Sequence, residues 1–279
     1  MNMNDLNWVP RQIELNISRF DKAMEEHHPE SRGYLHDPVA YYSRIVEQTN
    51  YLDAVRLLDW NKYLEKDCTV LDLGGGTGWL SAYMSNFEAV SRIYLVDSSR
   101  HFLLSMMPGI VKLMDGKAEK IVPIEGLFSP LLFEDKSLDA VVLSSALHHA
   151  DNMEHLLIET RRVLKDEGVL MVLNETPVSY WRYFIFIMRQ SLRIMSDTLC
   201  RQYKSVSASV SSSGFLYDPF LQDRYYPLWY WTAALGRAGF RLDGLIDTGM
   251  RTLKGSRKGI NLKHFVCRKT AFAPNKDGG

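Results

Sequence analysis

The 279-residue chain carries 33 Lys+Arg against 33 Asp+Glu, a formal net charge of zero, with 46% hydrophobic and 24% charged residues. These are globular values for one large domain or one domain with an attachment. They exclude a disordered chain and argue against nucleic-acid binding by bulk charge. Cys68, Cys200 and Cys267 stand far apart without a paired spacing, which fits neither a disulfide framework nor a zinc site, so no metal is expected.

Residues 1–30 are charged throughout and lack the apolar core of a signal peptide, and no run of 18 apolar residues occurs. The reading is a cytoplasmic protein without a membrane span. Residues 1–35 are polar and punctuated by Pro10, Pro29 and Gly33, which predicts short helices and turns. From Pro38 to about Leu64, the apolar residues Val39, Tyr42, Ile45, Val46, Leu52, Val55 and Leu58 fall at roughly helical spacing.

Short apolar runs then alternate with helical stretches: Thr69–Leu73, Ile93–Val96, Lys120–Ile124, Ala140–Leu143 and Val169–Leu173. That alternation predicts repeated β-α units and a buried, parallel sheet. Asp151, with Glu154 three residues on, is placed to cap a helix that runs to about Leu164 and ends near Lys165–Gly168. After Pro177 the alternation stops. Tyr180–Lys204 is apolar and aromatic, and Ser205–Ser213 is Ser-rich, the composition of a flexible segment. A helix around Pro227–Ala238 and strands at Arg241–Asp247 and His264–Arg268 restore the α/β order, and Ala271–Gly279 reads as a disordered tail.

Chemistry concentrates in Val70-Leu71-Asp72-Leu73-Gly74-Gly75-Gly76-Thr77-Gly78-Trp79. A buried strand ends in an acid, and a glycine-rich turn then opens a helix whose free N–H groups face the same crevice. The dinucleotide spacing would put a glycine at position 79, which is Trp, and the Gly-Lys-Ser/Thr of a phosphate loop is absent. The turn suits a ligand without a pyrophosphate whose positive end meets Asp72.

These residues resemble the class I S-adenosylmethionine-dependent methyltransferases of the small-molecule type, over roughly 66–175 and again at 226–269. Asp97 closes the second strand 25 residues after Asp72, Ser137–Val142 resembles the family's fourth strand, and Leu147-His148-His149 follows it. Ala234–Phe240 resembles the helix and turn before the sixth strand. The resemblance implies a Rossmann-like, doubly wound α/β fold: a mostly parallel seven-stranded sheet with an N-terminal helical cap and an inserted lid. It divides the chain into a cap over 1–65, a core over 66–176 and 226–270, a lid over 177–225 and a tail over 271–279. It implies S-adenosyl-L-methionine as cofactor, held by Asp72, Gly74, Gly75, Gly76, Gly78, Asp97, Ser98, Glu125, Leu127 and Ser144, with Asp97 on the ribose hydroxyls. The adenine-binding acid is displaced from its usual count, which lands on Leu127. Either Glu125 or backbone groups near Leu127 and Phe128 take that role.

His148 and His149 are the candidate general bases, because imidazole titrates in the right range; the alternative is that one of them only packs against the sheet. Asp151 either orients such a His or caps its helix. Tyr41 and Tyr42, under the cap, and Arg182, Arg189 and Arg193, on the lid, are the candidate substrate contacts, with aromatic packing and a solvated basic face as the plain alternatives. The acceptor is read as a small molecule, a hydroxyl of a sugar or natural-product intermediate. The alternatives are C-methylation of a prenyl-type or other apolar anionic substrate, and methylation of RNA or protein docked on a basic hairpin at 251–269. No nucleic acid is expected, and the aromatic lid also suits a homodimer contact. The lid and the 251–269 segment hold thirteen basic residues and three acids, so net neutrality conceals an excess of ten acids on the rest of the chain.

Overall fold

The computed structural model describes residues 26, 32–185, 187–189, 209–210, 216–217 and 224–271. Its main sheet contains β1 (Cys68–Leu73), β2 (Val90–Asp97), β3 (Ile121–Glu125), β4 (Leu138–Ser144) and β5 (Leu164–Glu175). The short β6 (Ser209–Val210), β7 (Leu216–Tyr217) and β8 (Arg224–Tyr225) form a second, three-stranded sheet, and β9 (Phe240–Arg251) and β10 (Asn261–Lys269) return to the first. The helices include α1 (Arg32–Leu35), α2 (Pro38–Tyr41), α3 (Tyr51–Val55), α4 (Trp60–Tyr63), α5 (Trp79–Ser85), α6 (Met107–Leu113), α7 (Met153–Val163) and α8 (Leu228–Arg237).

The seven strands lie in the order β3-β2-β1-β4-β5-β10-β9, with the first five parallel and β10 antiparallel to both of its neighbours. Apolar layers cover both faces, as the near-continuous apolar runs of the central strands require. Val70 joins the layer with Leu80, Met84 and Ile110, whereas Leu71 and Leu73 pack with Leu156, Leu157 and Trp231. The chain reverses direction across the sheet between β1 and β4, so the loops after β1 and β4 diverge and leave a crevice beyond the strand ends.

Three local expectations give way to tertiary context. The Pro38–Leu64 stretch is a series of short helices broken by a π-helical turn at Tyr42–Glu47, and its Val46, Leu52, Val55 and Leu58 join the apolar layer on one face of the sheet. Asn152, not Asp151, caps α7: its side chain accepts the His155 N–H, while Asp151 pairs with Arg224. α7 ends at Val163, and Leu164 already pairs with Leu138, so Lys165–Gly168 is extended chain at the start of β5.

The 251–269 segment is also not a wholly exposed hairpin. Lys263, Arg268 and Lys269 lie in β10, where Lys263 pairs with Asp247, Arg268 donates to the Glu167 carbonyl and Lys269 donates to the Leu164 carbonyl. Lys254 pairs with Asp53 at 2.8 Å. Arg257 and Lys258 remain exposed on the turn between β9 and β10.

Candidate active site

The crevice is a cavity of about 670 Å³, within the roughly 300–1,000 Å³ of small-ligand sites. Its floor is the turn after β1. Gly74, Gly76 and Gly78 adopt left-handed φ values of +70°, +57° and +76°. A Cβ on Gly75 would overlap Leu95 Cδ1 and sit 2.8 Å from Asp72 Oδ2, so the backbone passes where no side chain fits. Gly74, Gly75 and Gly76 line the cavity; Gly78 lies outside it and opens α5.

Asp72 is fully buried at the end of β1 and faces this space. Its Oδ2 accepts the Ser81 hydroxyl at 2.6 Å, and its Oδ1 has no partner. Burial pushes the carboxyl up to about 7, with the Ser81 hydrogen bond pulling partly the other way. A buried carboxylate oxygen without a partner, on a residue that lines a cavity, suits a cationic or N–H-bearing ligand group.

Asp97, at the matching edge of β2, also lines the cavity. Its Oδ2 accepts Gly76 N–H at 2.8 Å and its Oδ1 accepts Ser99 N–H at 2.8 Å, so the carboxylate is locked in orientation and ties the two turns together. A carboxylate so oriented at a cavity wall has the chemistry to accept from ligand hydroxyls. Ser99 then caps the next turn by accepting Phe102 N–H.

The short helices before β1 supply the wall. Asp37 caps α2 by accepting Val39 N–H at 2.9 Å, and Leu35 packs on Phe102 and Met106. This seats Tyr34 and Tyr41 in the cavity. Burial raises the Tyr41 hydroxyl well above its ordinary value, so it stays a neutral donor. Tyr51 stacks on Trp79 with centroids 6.4 Å apart, and its hydroxyl lies 3.4 Å from Ser145 Oγ.

The loop after β4 carries the titratable groups. His148 Nδ1 is 2.7 Å from Glu175 Oε2, while Glu175 Oε1 accepts the N–H groups of Ala146 and Leu147 at 3.1 and 3.0 Å. A carboxylate only accepts, so Nδ1 carries a proton, and in the neutral imidazole Nε2 is then the acceptor nitrogen. His149 stacks on His148 with centroids 4.1 Å apart. From β8, Arg224 donates to the His149 carbonyl at 2.9 Å and to Asp151 at 2.8 Å, which ties β8 to the same loop.

The structure therefore brings Asp72, Gly74, Gly75, Gly76, Asp97, Ser98, Leu127, Ser144, Tyr41, His148 and His149 to one cavity. It does not bring Glu125, Tyr42, Arg182 or Arg189 there. The Glu125 carboxylate pairs with Arg100 at 3.3 Å; Tyr42 lines a separate shallow pocket with Leu52 and Arg56. Arg182 donates to the Gly259 carbonyl at 3.0 Å, Arg189 is exposed, and Arg193 lies outside the described residues. Sequence reasoning missed Glu175, Tyr34, Tyr51 and Trp79. Glu175 had a usable signal, since it closes a buried strand just as Asp72 and Asp97 do.

Sheet order, switch-point cavity and glycine turn define a Rossmann-like fold of the methyltransferase kind. Residues 71–172 match the family model described as a methyltransferase domain. Over these residues the chain is similar to S-adenosylmethionine-dependent methyltransferases. It is 33% identical over 108 residues to the ubiquinone/menaquinone biosynthesis C-methyltransferase UbiE of Blochmanniella pennsylvanica, covering 38% of this chain and 42% of that protein. It is 31% identical over 117 residues to the sarcosine/dimethylglycine N-methyltransferase of Aphanothece halophytica, covering 40% of each. The chain thus spans about two-fifths of the length of these curated relatives. Among solved structures, the Burkholderia thailandensis 1,6-didemethyltoxoflavin-N1-methyltransferase, with its bound substrate and S-adenosylhomocysteine, aligns at TM-score 0.56. That match has 14% identity and covers 94% of this chain and 92% of that one. A Mesorhizobium loti S-adenosylmethionine-dependent methyltransferase aligns at TM-score 0.52 and 15% identity, over 79% and 97%. At these identities the likeness is one of fold.

Proposed function

We propose that the protein transfers a methyl group from S-adenosylmethionine to a hydroxyl of a small-molecule acceptor. One observation carries this reading: a single cavity is lined by Asp72, whose Oδ1 has no partner, by the oriented Asp97 carboxylate and by His148, whose Nδ1 meets Glu175. The residues fit the cofactor: Asp72 suits its ammonium group, Asp97 the ribose hydroxyls, and the glycine turn leaves room where a Cβ would intrude. When bound, S-adenosylmethionine supplies an electrophilic methyl on a sulfonium leaving group.

The chain's own work is to hold the acceptor oxygen in line with that methyl and to keep water out. Tyr34, Tyr41 and Tyr51 wall the cavity from the cap side. His148 Nε2 takes the proton from the acceptor hydroxyl as it attacks. Glu175 stabilises the resulting imidazolium through the Nδ1 hydrogen bond. The basic residues of β10 are paired within the sheet, which leaves fewer charges of the 251–269 segment for an RNA or protein acceptor.

Isothermal titration with S-adenosylhomocysteine tests the cofactor half, and Asp97→Ala is expected to weaken binding at least ~10-fold. Transfer of a radiolabelled methyl to a panel of hydroxylated sugars and phenols, compared with amines, tests the acceptor half. Absence of binding to the wild-type chain would sink the whole reading. Labelled amines with no labelled hydroxyl compounds would sink the hydroxyl assignment alone.

A further inference from the structure

Residues 180–185 and 187–189 are helical, at the start of the segment between β5 and β8. Trp181, Phe184, Ile185 and Met188 recur at i, i+3, i+4 and i+7, the spacing of one apolar face. In a globular protein that face meets the core. Here it does the reverse: the four residues are 70%, 47%, 48% and 45% exposed. The half-buried Tyr183 lies about 150° around the helix from the centre of the stripe, at 100° per residue, so the stripe points away from the body. Trp181 and Phe184 meet edge to face at 6.3 Å, which makes the exposed stripe a continuous aromatic surface.

Charge says what such a surface would meet. Arg182 and Arg189, seven residues apart, flank the stripe on the same side, and residues 176–196 contain no Asp or Glu. Arg182 also donates to the Gly259 carbonyl at 3.0 Å, which ties the helix to the β9–β10 turn. That turn presents exposed Arg257 and Lys258, and residues 251–260 hold no acid. An outward aromatic-aliphatic stripe bordered by arginines, with a second basic element fastened beside it, has the geometry of an interfacial helix. Its rings sit at the acyl boundary and its guanidinium groups reach lipid phosphates. Among the described residues no helix is long and apolar enough to cross a membrane, so the contact is peripheral.

We propose that this face docks the protein on an anionic phospholipid bilayer, with the Trp181–Met188 stripe inserted at the interface and Arg182, Arg189, Arg257 and Lys258 against the headgroups. The proposal is independent of which acceptor is methylated.

The test is flotation of the full chain with vesicles of equal parts phosphatidylcholine and phosphatidylglycerol, in parallel with pure phosphatidylcholine vesicles. The expected result is at least ~10-fold stronger partitioning onto the anionic vesicles, weakened by added salt. Trp181→Ala combined with Phe184→Ala should reduce it at least ~10-fold, and Arg189→Gln about fivefold. Affinity for S-adenosylhomocysteine, measured on the same variants, should stay unchanged and reports that they fold. Equal partitioning onto both vesicle types, none onto either, or unchanged binding by the folded double variant would overturn the proposal. So would a wild-type dimer in analytical ultracentrifugation that the double variant converts to monomer without vesicles, since a second copy would then be the occupant.

Discussion

Asp72 gives the sharpest link between burial and binding. Its carboxyl sits near 7 against an ordinary value of 3.8, mainly because burial strips water from the charged form. The unfolded chain releases this proton near pH 4 and the folded chain only near 7, so between those values the native state binds more protons and stability falls as pH rises. At about 1.4 kcal/mol per pH unit, the ionised carboxylate costs the folded, ligand-free protein up to roughly 4 kcal/mol above pH 7. Asp72→Asn removes that cost while keeping a carbonyl oxygen for the Ser81 hydroxyl.

The variant should therefore match the wild type below about pH 4 and gain steadily up to about pH 7. Above that its advantage should be level. Even if relaxation halves the figure to about 2 kcal/mol, the melting temperature at pH 8 rises by several degrees. The same change should weaken S-adenosylhomocysteine binding at least ~10-fold, because the ligand's ammonium loses its counter-charge. Differential scanning calorimetry across pH, with and without S-adenosylhomocysteine, reads both effects. A stability difference that does not vary with pH, or a variant that binds as tightly as the wild type, would refute the reasoning.

Gly75→Ala forces a methyl into Leu95 and Asp72, so thermal unfolding should show a loss of about 1–3 kcal/mol, with calorimetric titration showing cofactor-site binding lost as well. Asp97→Ala removes the acceptor for Gly76 and Ser99 N–H as well as any ligand contact, and should cost about 1–3 kcal/mol in denaturant unfolding beyond its effect on affinity. Glu175→Gln presents an amide to His148 and shifts the imidazole proton to Nε2, the position a base must leave free. Nitrogen-15 chemical shifts of the His148 ring should report that tautomer switch. Unchanged shifts would separate Glu175 from His148 and leave it a loop anchor through Ala146 and Leu147.

Much of the site was legible along the chain because the signals are local. Asp72 and Asp97 each close a buried apolar strand, and the Gly74–Gly78 spacing answers to backbone angles that few other residues adopt. Strand register lies beyond local reading. Glu175 meets His148 because β5 pairs with β4 so that Ser144 faces Leu173, which sets the strand's last residue beside the loop leaving β4. Glu125, one place from the cavity, turns instead to Arg100 on the neighbouring loop.

The sequence by itself determined the β-α alternation, the glycine turn and the acids at its edges, since hydrophobic period and left-handed φ are properties of a few consecutive residues. Only the tertiary structure decided which charges are used up and which faces are left open. Opposite charges far apart in sequence meet through pairing, as Lys263 with Asp247 and Lys254 with Asp53. The same arrangement turned the Trp181–Met188 stripe away from the core, where its spacing alone would have placed it. Neutrality of the whole chain thus hides a cavity edged with carboxylates and a separate face bearing exposed arginines. The division is physical: periodicity is written along the chain, whereas solvation and pairing depend on what the fold brings alongside.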